Sequence, residues 1–459
     1  MVSLGSTARI ITKAAPTAAK EKSSVLDKND FNDSFFTFED LISPESGAGR
    51  QTQKRITNDI DELMRNCHWE DIVSLYHPVE TKVPDLVAAK LDLPVREKIA
   101  FAMGQLKQFD PAIKELLVCV KSEPDNFYVR SSLAYTAYNS LYAAKNREVF
   151  LAGEARKKRI MLAHENFEKA RELRPDTVTN NYRQGMLLSQ IENKPDKAQP
   201  LFQKACDNWE GLTDEDQSQR HQEKKNYIKS LYRLASLLLQ NGDAGNAFNR
   251  VNLCLSLDEK TNYVDLTFKY FALGKVQFHL GNYDDARNAL MFANQSSTRG
   301  PRDFVSELLA RSYLAMGRSD KALGAIATIP EAIRKPYVRW TEADAYSSTK
   351  DFNRAERVLK SCLERDRLSK HKTLMRLTKI AYLKKEFEAA MTHAGQAVAF
   401  FQEKWGNPYY EGLLWQAVSA LRLGKVGMAE DLALELKANC RNYPKLDQVL
   451  SMIEDEKNR

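Results

Sequence analysis

The chain has little of what interrupts helices: 19 glycines and 15 prolines in 459 residues. It also lacks sustained alternation of β-branched residues, so helix dominates and a sheet-rich fold is excluded. No apolar run approaches the roughly 18 residues needed to cross a bilayer, so no membrane insertion is expected. Metal binding needs clustered ligands, and here there is no His-x3-His and no Cys-x2-Cys. The seven histidines, His68, His77, His164, His221, His279, His371 and His393, are scattered. Cys67 and His68 are neighbours and therefore point apart on a helix. A phosphate-binding loop is missing as well. Lys275 and Lys425 follow glycines, but no glycine stands five residues before either of those glycines. Gly242-Asp243-Ala244-Gly245 reads as a turn between helices, not as a dinucleotide fingerprint. Nothing marks a nucleophile and its base, and the expectation is no enzyme, no cofactor, no metal and no small-molecule substrate.

One-sided charge is lacking too. With 68 basic and 61 acidic residues the net charge is +7, which demands neither nucleic acid nor an anionic surface as partner. The first twenty residues hold Arg9, Lys13 and Lys20 without an acid and have no apolar core of secretory type. A transit-peptide reading therefore competes with a plain disordered tail, and composition favours the tail.

What the sequence does have is a recurring small residue. Ala112, Ala163, Ala198, Ala247, Ala286, Ala322, Ala355, Ala390 and Ala429 each open an apolar helical stretch, with gaps of 51, 35, 49, 39, 36, 33, 35 and 39. Seven residues after each stands another small or apolar residue: Cys119, Ala170, Ala205, Cys254, Ala293, Ile329, Cys362, Ala397 and Leu436. Apart from two long gaps, the period lies close to 34. Units of that length bury a core only by stacking, which builds a surface suited to binding. Cys119, Cys254 and Cys362 share a slot with alanines and so read as small, reduced packing residues. That favours a reducing cytoplasm, and cytoplasmic localisation is expected.

The units repeat one physical scheme. In Lys269–Thr298, Leu273-Gly274 lies in a first helix, Gly281-Asn282-Tyr283 at the turn, and Ala286 and Ala293 in the second helix. Its neighbours carry Ala310, Tyr313, Gly317, Ala322 and Ile326, then Ala343, Tyr346, Phe352, Ala355, Leu359 and Cys362. Two small residues let the helices cross closely, and the turn residue supplies a left-handed conformation. Proline closes early units at Glu123-Pro124 and Arg174-Pro175.

This pattern resembles the tetratricopeptide repeat family (W-x2-L-G-x2-Y … A-x3-F … A-x4-P) over about residues 93–440, in nine degenerate units. The first-helix tryptophan is missing almost throughout; Trp340 and Trp415 sit only near its place. Pentatricopeptide repeats share the period but match less well. The resemblance implies an all-α, right-handed superhelical solenoid of helix pairs.

Around this array, residues 1–50 read as a disordered tail with one apolar patch, Phe35–Ile42, which is either a docking motif or a turn covering the first repeat. Residues 51–92 read as capping helices or a degenerate repeat, and 441–459 as a C-terminal capping helix with Leu446, Val449, Leu450 and Ile453 on one stripe. The long gaps place insertions near 139–162, including Arg156-Lys157-Lys158-Arg159, and near 207–225. The basic run is read as a solvated helix face.

The resemblance further implies an inner groove along the first helices. Carried over by position, its lining is Tyr128, Tyr135, Tyr138 and Asn139, then Tyr182 and Gln190, then Tyr232 and Gln240. The fifth unit gives Phe268, Phe271, Lys275, Phe278 and His279; later units give Arg311, Tyr337, Trp340, Lys379 and Tyr382. Aromatics with a few cations suit a peptide with apolar anchors and a carboxylate. The family's paired Lys and Asn clamp for a C-terminal carboxylate is not found. The expected function is a non-enzymatic scaffold or adaptor for protein segments. Alternatives are an assembly factor or chaperone for a multisubunit complex, and, from another class, an RNA-binding helical-repeat protein.

Overall fold

The protein is described here from a computed structural model covering residues 47–458 except Arg299 and Pro301. The apolar patch at Phe35–Ile42 lies outside the described residues. Among the described residues every regular element is helical, and the chain divides into two compact units, Met1–Pro175 and Asp176–Arg459.

The first unit contains α1 (Gly47–Arg65), α2 (Trp69–Tyr76), α3 (Val79–Lys82) and α4 (Pro84–Ala88). Two helix pairs follow: α5 (Leu93–Gln105) with α6 (Phe109–Ser122), and α7 (Phe127–Lys145) with α8 (Gly153–Leu173). The second pair is long, at 19 and 21 residues. Arg159 of α8 pairs with Asp110 of α6, whereas Arg156, Lys157 and Lys158 are exposed. Arg96, almost wholly buried in α5, donates to Asp92, Glu115 and Glu80.

The second unit opens with α9 (Val178–Met186), which runs into a π-helical turn at Leu187–Ile191, and α10 (Pro195–Glu210). A short α11 (Asp214–Gln219) and a 3-10 turn lead into α12 (Lys224–Gln240) with α13 (Ala244–Leu257). The remaining pairs are α14 (Leu266–His279) with α15 (Tyr283–Ser296), α16 (Asp303–Ala315) with α17 (Ser319–Ala327), and α18 (Pro336–Ser348) with α19 (Phe352–Arg365). Then come α20 (Lys370–Leu383) with α21 (Phe387–Trp405), α22 (Tyr410–Arg422) with α23 (Val426–Asn439), and α24 (Leu446–Lys457). Each first helix touches its own second helix and also the next first helix, from α12 through α22. First helices therefore form a continuous row within this unit.

The recurring alanines explain the stacking. All nine, from Ala112 to Ala429, have no exposed surface, and their partners seven residues on are at most 2% exposed. At the crossing of α14 and α15 there is no room for a side chain on Gly274. A Cβ there would sit 2.6 Å from Leu290 Cγ and 3.2 Å from the Ala286 carbonyl oxygen. Gly185 is similarly closed off, with a Cβ 2.8 Å from the Phe202 ring. Five residues before the leading alanine the chain turns with positive φ, at Gly281 (81°) and Gly317 (71°) but also at Lys107 (61°), Lys350 (63°) and Lys385 (66°). The turn conformation is thus kept where glycine is not.

Two cysteines of the shared slot make the same contact. Cys119 Sγ lies 3.9 Å from the Leu93 carbonyl and Cys254 Sγ 3.7 Å from that of Ile228, each 26 residues back along the chain. Burial pushes the Cys254 and Cys206 thiols up to about 12.

A buried ion pair ties α13 to α14. Asp258, fully buried, accepts from the Tyr263 and Val264 amides (2.6 and 2.8 Å) and from the Thr261 hydroxyl (2.7 Å). Lys269, 1% exposed, donates to the Asp258 carboxylate at 2.8 Å and to its carbonyl at 2.9 Å. This fixes the loop that delivers α14, whose first turn is capped by Asp265 accepting from the Thr267 amide.

Candidate functional site

The row of first helices α14–α22 brings together most of the residues expected to line a groove. On α14, Phe268 stacks on Phe304 of α16 (centroids 5.9 Å, planes 6° apart), and Phe271 meets the same ring edge-on at 4.7 Å. The Arg311 guanidinium of α16 lies 4.7 Å above the Phe278 ring, a cation–π contact between neighbouring first helices. Lys275 is half-buried and His279 exposed, one helical turn apart. Burial, then Arg311, holds the Lys275 ammonium below its ordinary range. Burial, then Lys275 and Arg311, does the same to His279.

Further along the row, cations and carboxylates of adjacent first helices pair. Asp303 accepts from Lys335 at 2.7 Å and from the Tyr337 hydroxyl. Burial and Asp303 push the Tyr337 phenol upward. Asp344 faces Arg376 at 3.1 Å, and Lys379 donates to Glu411 at 2.8 Å. Trp340 donates its indole N–H to the Thr373 hydroxyl (2.8 Å), with Lys372 and Arg376 over its ring at 5.6 and 5.1 Å. Tyr382 packs against Phe387 and Trp415, both at 5.3 Å, and its hydroxyl accepts from Arg422 at 3.0 Å.

Other expected lining residues are placed differently. Tyr182 tilts onto Phe202 of its own pair at 6.0 Å. Tyr232 packs on the core between α12 and α14 with Arg233 beside its ring at 5.7 Å. In the first unit, Tyr135 and Tyr138 stack at 6.5 Å and are each only 8% exposed, while half-buried Tyr128 meets Phe127 edge-on at 5.2 Å. Asn139 and Gln190 are half-buried, and Gln240 is exposed.

Sequence reasoning missed Phe304, although a signal for it existed. Phe268 and Phe304 are 36 residues apart, the spacing of Ala286 and Ala322, so they occupy one register slot. It also missed Asp303, Glu307, Asp344 and Glu411, which lack the aromatic or basic character used to choose candidates.

His371, at the start of α20, is enclosed by Phe400, Phe401, Trp405 and Tyr409, with centroids 5.1–6.2 Å away. Its Nδ1 has no hydrogen-bond partner. Burial, then Lys372, lowers its affinity for a proton, against the pull of Asp366 and Glu411. Folding therefore favours the neutral ring, and the unfolded chain binds a proton more readily. The associated stability is present above the ordinary imidazole value of 6.5 and is lost as pH falls below it toward the lower folded value. The wild-type melting temperature should drop between pH 7.5 and 5.5 by more than that of His371→Leu. Parallel pH profiles for the two proteins in calorimetry would refute this.

Among the described residues, no group of three or more His, Cys, Asp or Glu could hold a metal ion. No described helix is long and apolar enough to cross a membrane. The stacked helix pairs make the chain a helical-repeat protein. No family model matches it, and no curated protein matches its sequence. It is similar in structure to a tetratricopeptide repeat protein from Parabacteroides merdae (11% identity, 60% of this chain and 99% of that one, TM-score 0.44). It is also similar to a chain of Naa15/Naa10 bound to HypK-THB (13%, 90% and 71%, TM-score 0.45), and to yeast Tom70 (14%, 89% and 96%, TM-score 0.41).

Proposed function

We propose that this protein is a non-enzymatic interaction scaffold that receives protein segments on the first-helix face of its second unit. The observation that supports this is the aromatic and basic row from Phe268 to Tyr382, assembled from four consecutive first helices. Phe271, Phe278, Tyr337, Trp340 and Tyr382 remain partly exposed while held by cross-helix contacts. A face held in place by its neighbours loses little side-chain freedom on binding, so its contacts convert into affinity. Exposed aromatic anchors and arginine are also the residue types that dominate interface energetics.

The partner segment binds with apolar side chains on the rings and acidic groups toward Lys275 and Arg311. An assembly factor would use the same face to hold a subunit. An RNA-binding role is disfavoured, because Lys335, Arg376 and Lys379 already meet carboxylates and are not free to track a phosphate backbone.

The test begins with crosslinking and mass spectrometry on the full chain in its native cell, followed by affinity measurement on the purified partner. Phe271→Ala combined with Lys275→Gln should weaken binding at least tenfold, about 1.4 kcal/mol, with the circular dichroism spectrum unchanged. Undiminished affinity would place the binding face elsewhere.

A further inference from the structure

Lys275 and Arg311 occupy the same register slot in consecutive first helices, 36 residues apart like Ala286 and Ala322. The next slots, at spacings of 33 and 35, hold Asp344 and Lys379. The second half of this column is neutralised, since Asp344 meets Arg376 and Lys379 meets Glu411. The first half is not. Among the described residues, Lys275 meets no carboxylate within ion-pair distance, and Arg311 reaches only Glu307, at 4.0 Å. The same Glu307 oxygen also accepts from the Thr341 hydroxyl, much closer, at 2.6 Å. Burial pushes the Glu307 carboxyl upward, against the pull of Thr341 and Arg311.

His279 stands one turn beyond Lys275 on α14, so three nitrogen-bearing side chains adjoin one another with Glu307 the only carboxylate within ion-pair distance of them among the described residues. Apolar surface adjoins them: Phe278 lies under the Arg311 guanidinium, and Phe271 and Phe304 meet edge-to-face beside them. The planar guanidinium is held over the ring, and a guanidinium fork matches phosphate oxygens with two parallel hydrogen bonds. A phosphate monoester carries about −1.5 to −2 charges near neutral pH and three acceptor oxygens. It would balance Lys275 and Arg311 together and give His279 an acceptor, whereas a single carboxylate leaves one cation uncompensated.

We infer that Lys275, Arg311 and His279 form a receiving site for a phosphorylated serine or threonine in a partner protein segment, whose adjoining Phe or Leu packs on Phe271, Phe278 and Phe304. This rests on the reading that the first-helix face binds protein segments, and it names the chemistry of one position in that segment.

The probes are three fluorescein-labelled nonapeptide pools, degenerate except for a central phosphoserine, serine or glutamate, titrated with the full chain by fluorescence anisotropy at physiological salt. The phosphoserine pool should bind at least tenfold more tightly than the serine pool and severalfold more tightly than the glutamate pool. Lys275→Gln with Arg311→Gln should bring phosphoserine binding down to the serine level. Both side chains protrude from helices, so the melting temperature should stay within a degree or two. Lys321→Gln with Arg318→Gln, at the start of the second helix α17, removes the same two charges and should keep the full preference. Equal binding of the phosphoserine and serine pools overturns the inference, as does a preference that survives the double variant. Glutamate matching phosphoserine also overturns it, leaving an acidic segment as the ligand. The broader reading is judged separately. If the phosphate preference is absent but Phe271→Ala with Lys275→Gln still weakens the purified partner tenfold, the scaffold stands and only the phosphate assignment falls.

Discussion

Ala286→Arg should destabilise the second unit by roughly 3 kcal/mol or more, the upper range of overpacking with an unpaired buried charge added. Ala286 has no exposed surface, and its carbonyl lies where even a Cβ on Gly274 would come within 3.2 Å. An arginine at 286 must part α14 from α15 or bury its guanidinium among Leu290, Ala293 and their neighbours. A stacked array loses both the damaged pair and its interfaces with the flanking pairs. Thermal unfolding followed by circular dichroism should show a clearly lowered midpoint or a new early transition. An unchanged midpoint would mean that 286 is not the crossing position.

The second large effect is expected at Asp258. Asp258→Ala leaves the Lys269 ammonium, 1% exposed, without its carboxylate and strips two backbone amides of their acceptor. Breaking a buried pair in this way costs about 3–5 kcal/mol. Removing both charges is different, because an apolar pair of similar volume avoids the desolvation that the ions suffer. Asp258→Leu with Lys269→Met should therefore recover much of the loss, although the Tyr263 and Val264 amides remain unsatisfied. Urea denaturation of the single and double variants would measure the difference. A single variant within 1 kcal/mol of wild type would show that the pair does not hold the α13–α14 loop.

The repeat was legible because its constraint is local and strict. Only a very small residue fits where two helices cross, so alanine returns at Ala247, Ala286 and Ala322 whatever else changes. Turn residues were half legible: Gly281 and Gly317 announce the left-handed conformation, whereas Lys350 and Lys385 adopt it without any composition signal. The candidate face was less legible. Rings on first helices could be named, but sequence alone does not tell Phe271, which meets Phe304 on the next first helix, from Tyr182, which turns to Phe202 in its own pair. Carboxylates such as Asp344 and Glu411 became meaningful only as partners across helices. The Asp258–Lys269 pair, eleven residues apart over a loop, has no periodicity to betray it.

The cysteines give the array its own reporters. Cys119 and Cys254 each sit at a seam between two helices, Cys362 lies 3.7 Å from the Thr373 hydroxyl of the next first helix, and Cys67 is exposed. Because a buried, protonated thiol cannot attack a disulfide reagent, the rate at which each one is labelled measures how often its own seam opens. With Cys206, also buried, the chain therefore carries four local clocks, and Cys67 is an exposed thiol against which to set them. A ligand that tightens α14 against its neighbours should slow the clock at Cys254 and leave that of Cys119 running at its former rate.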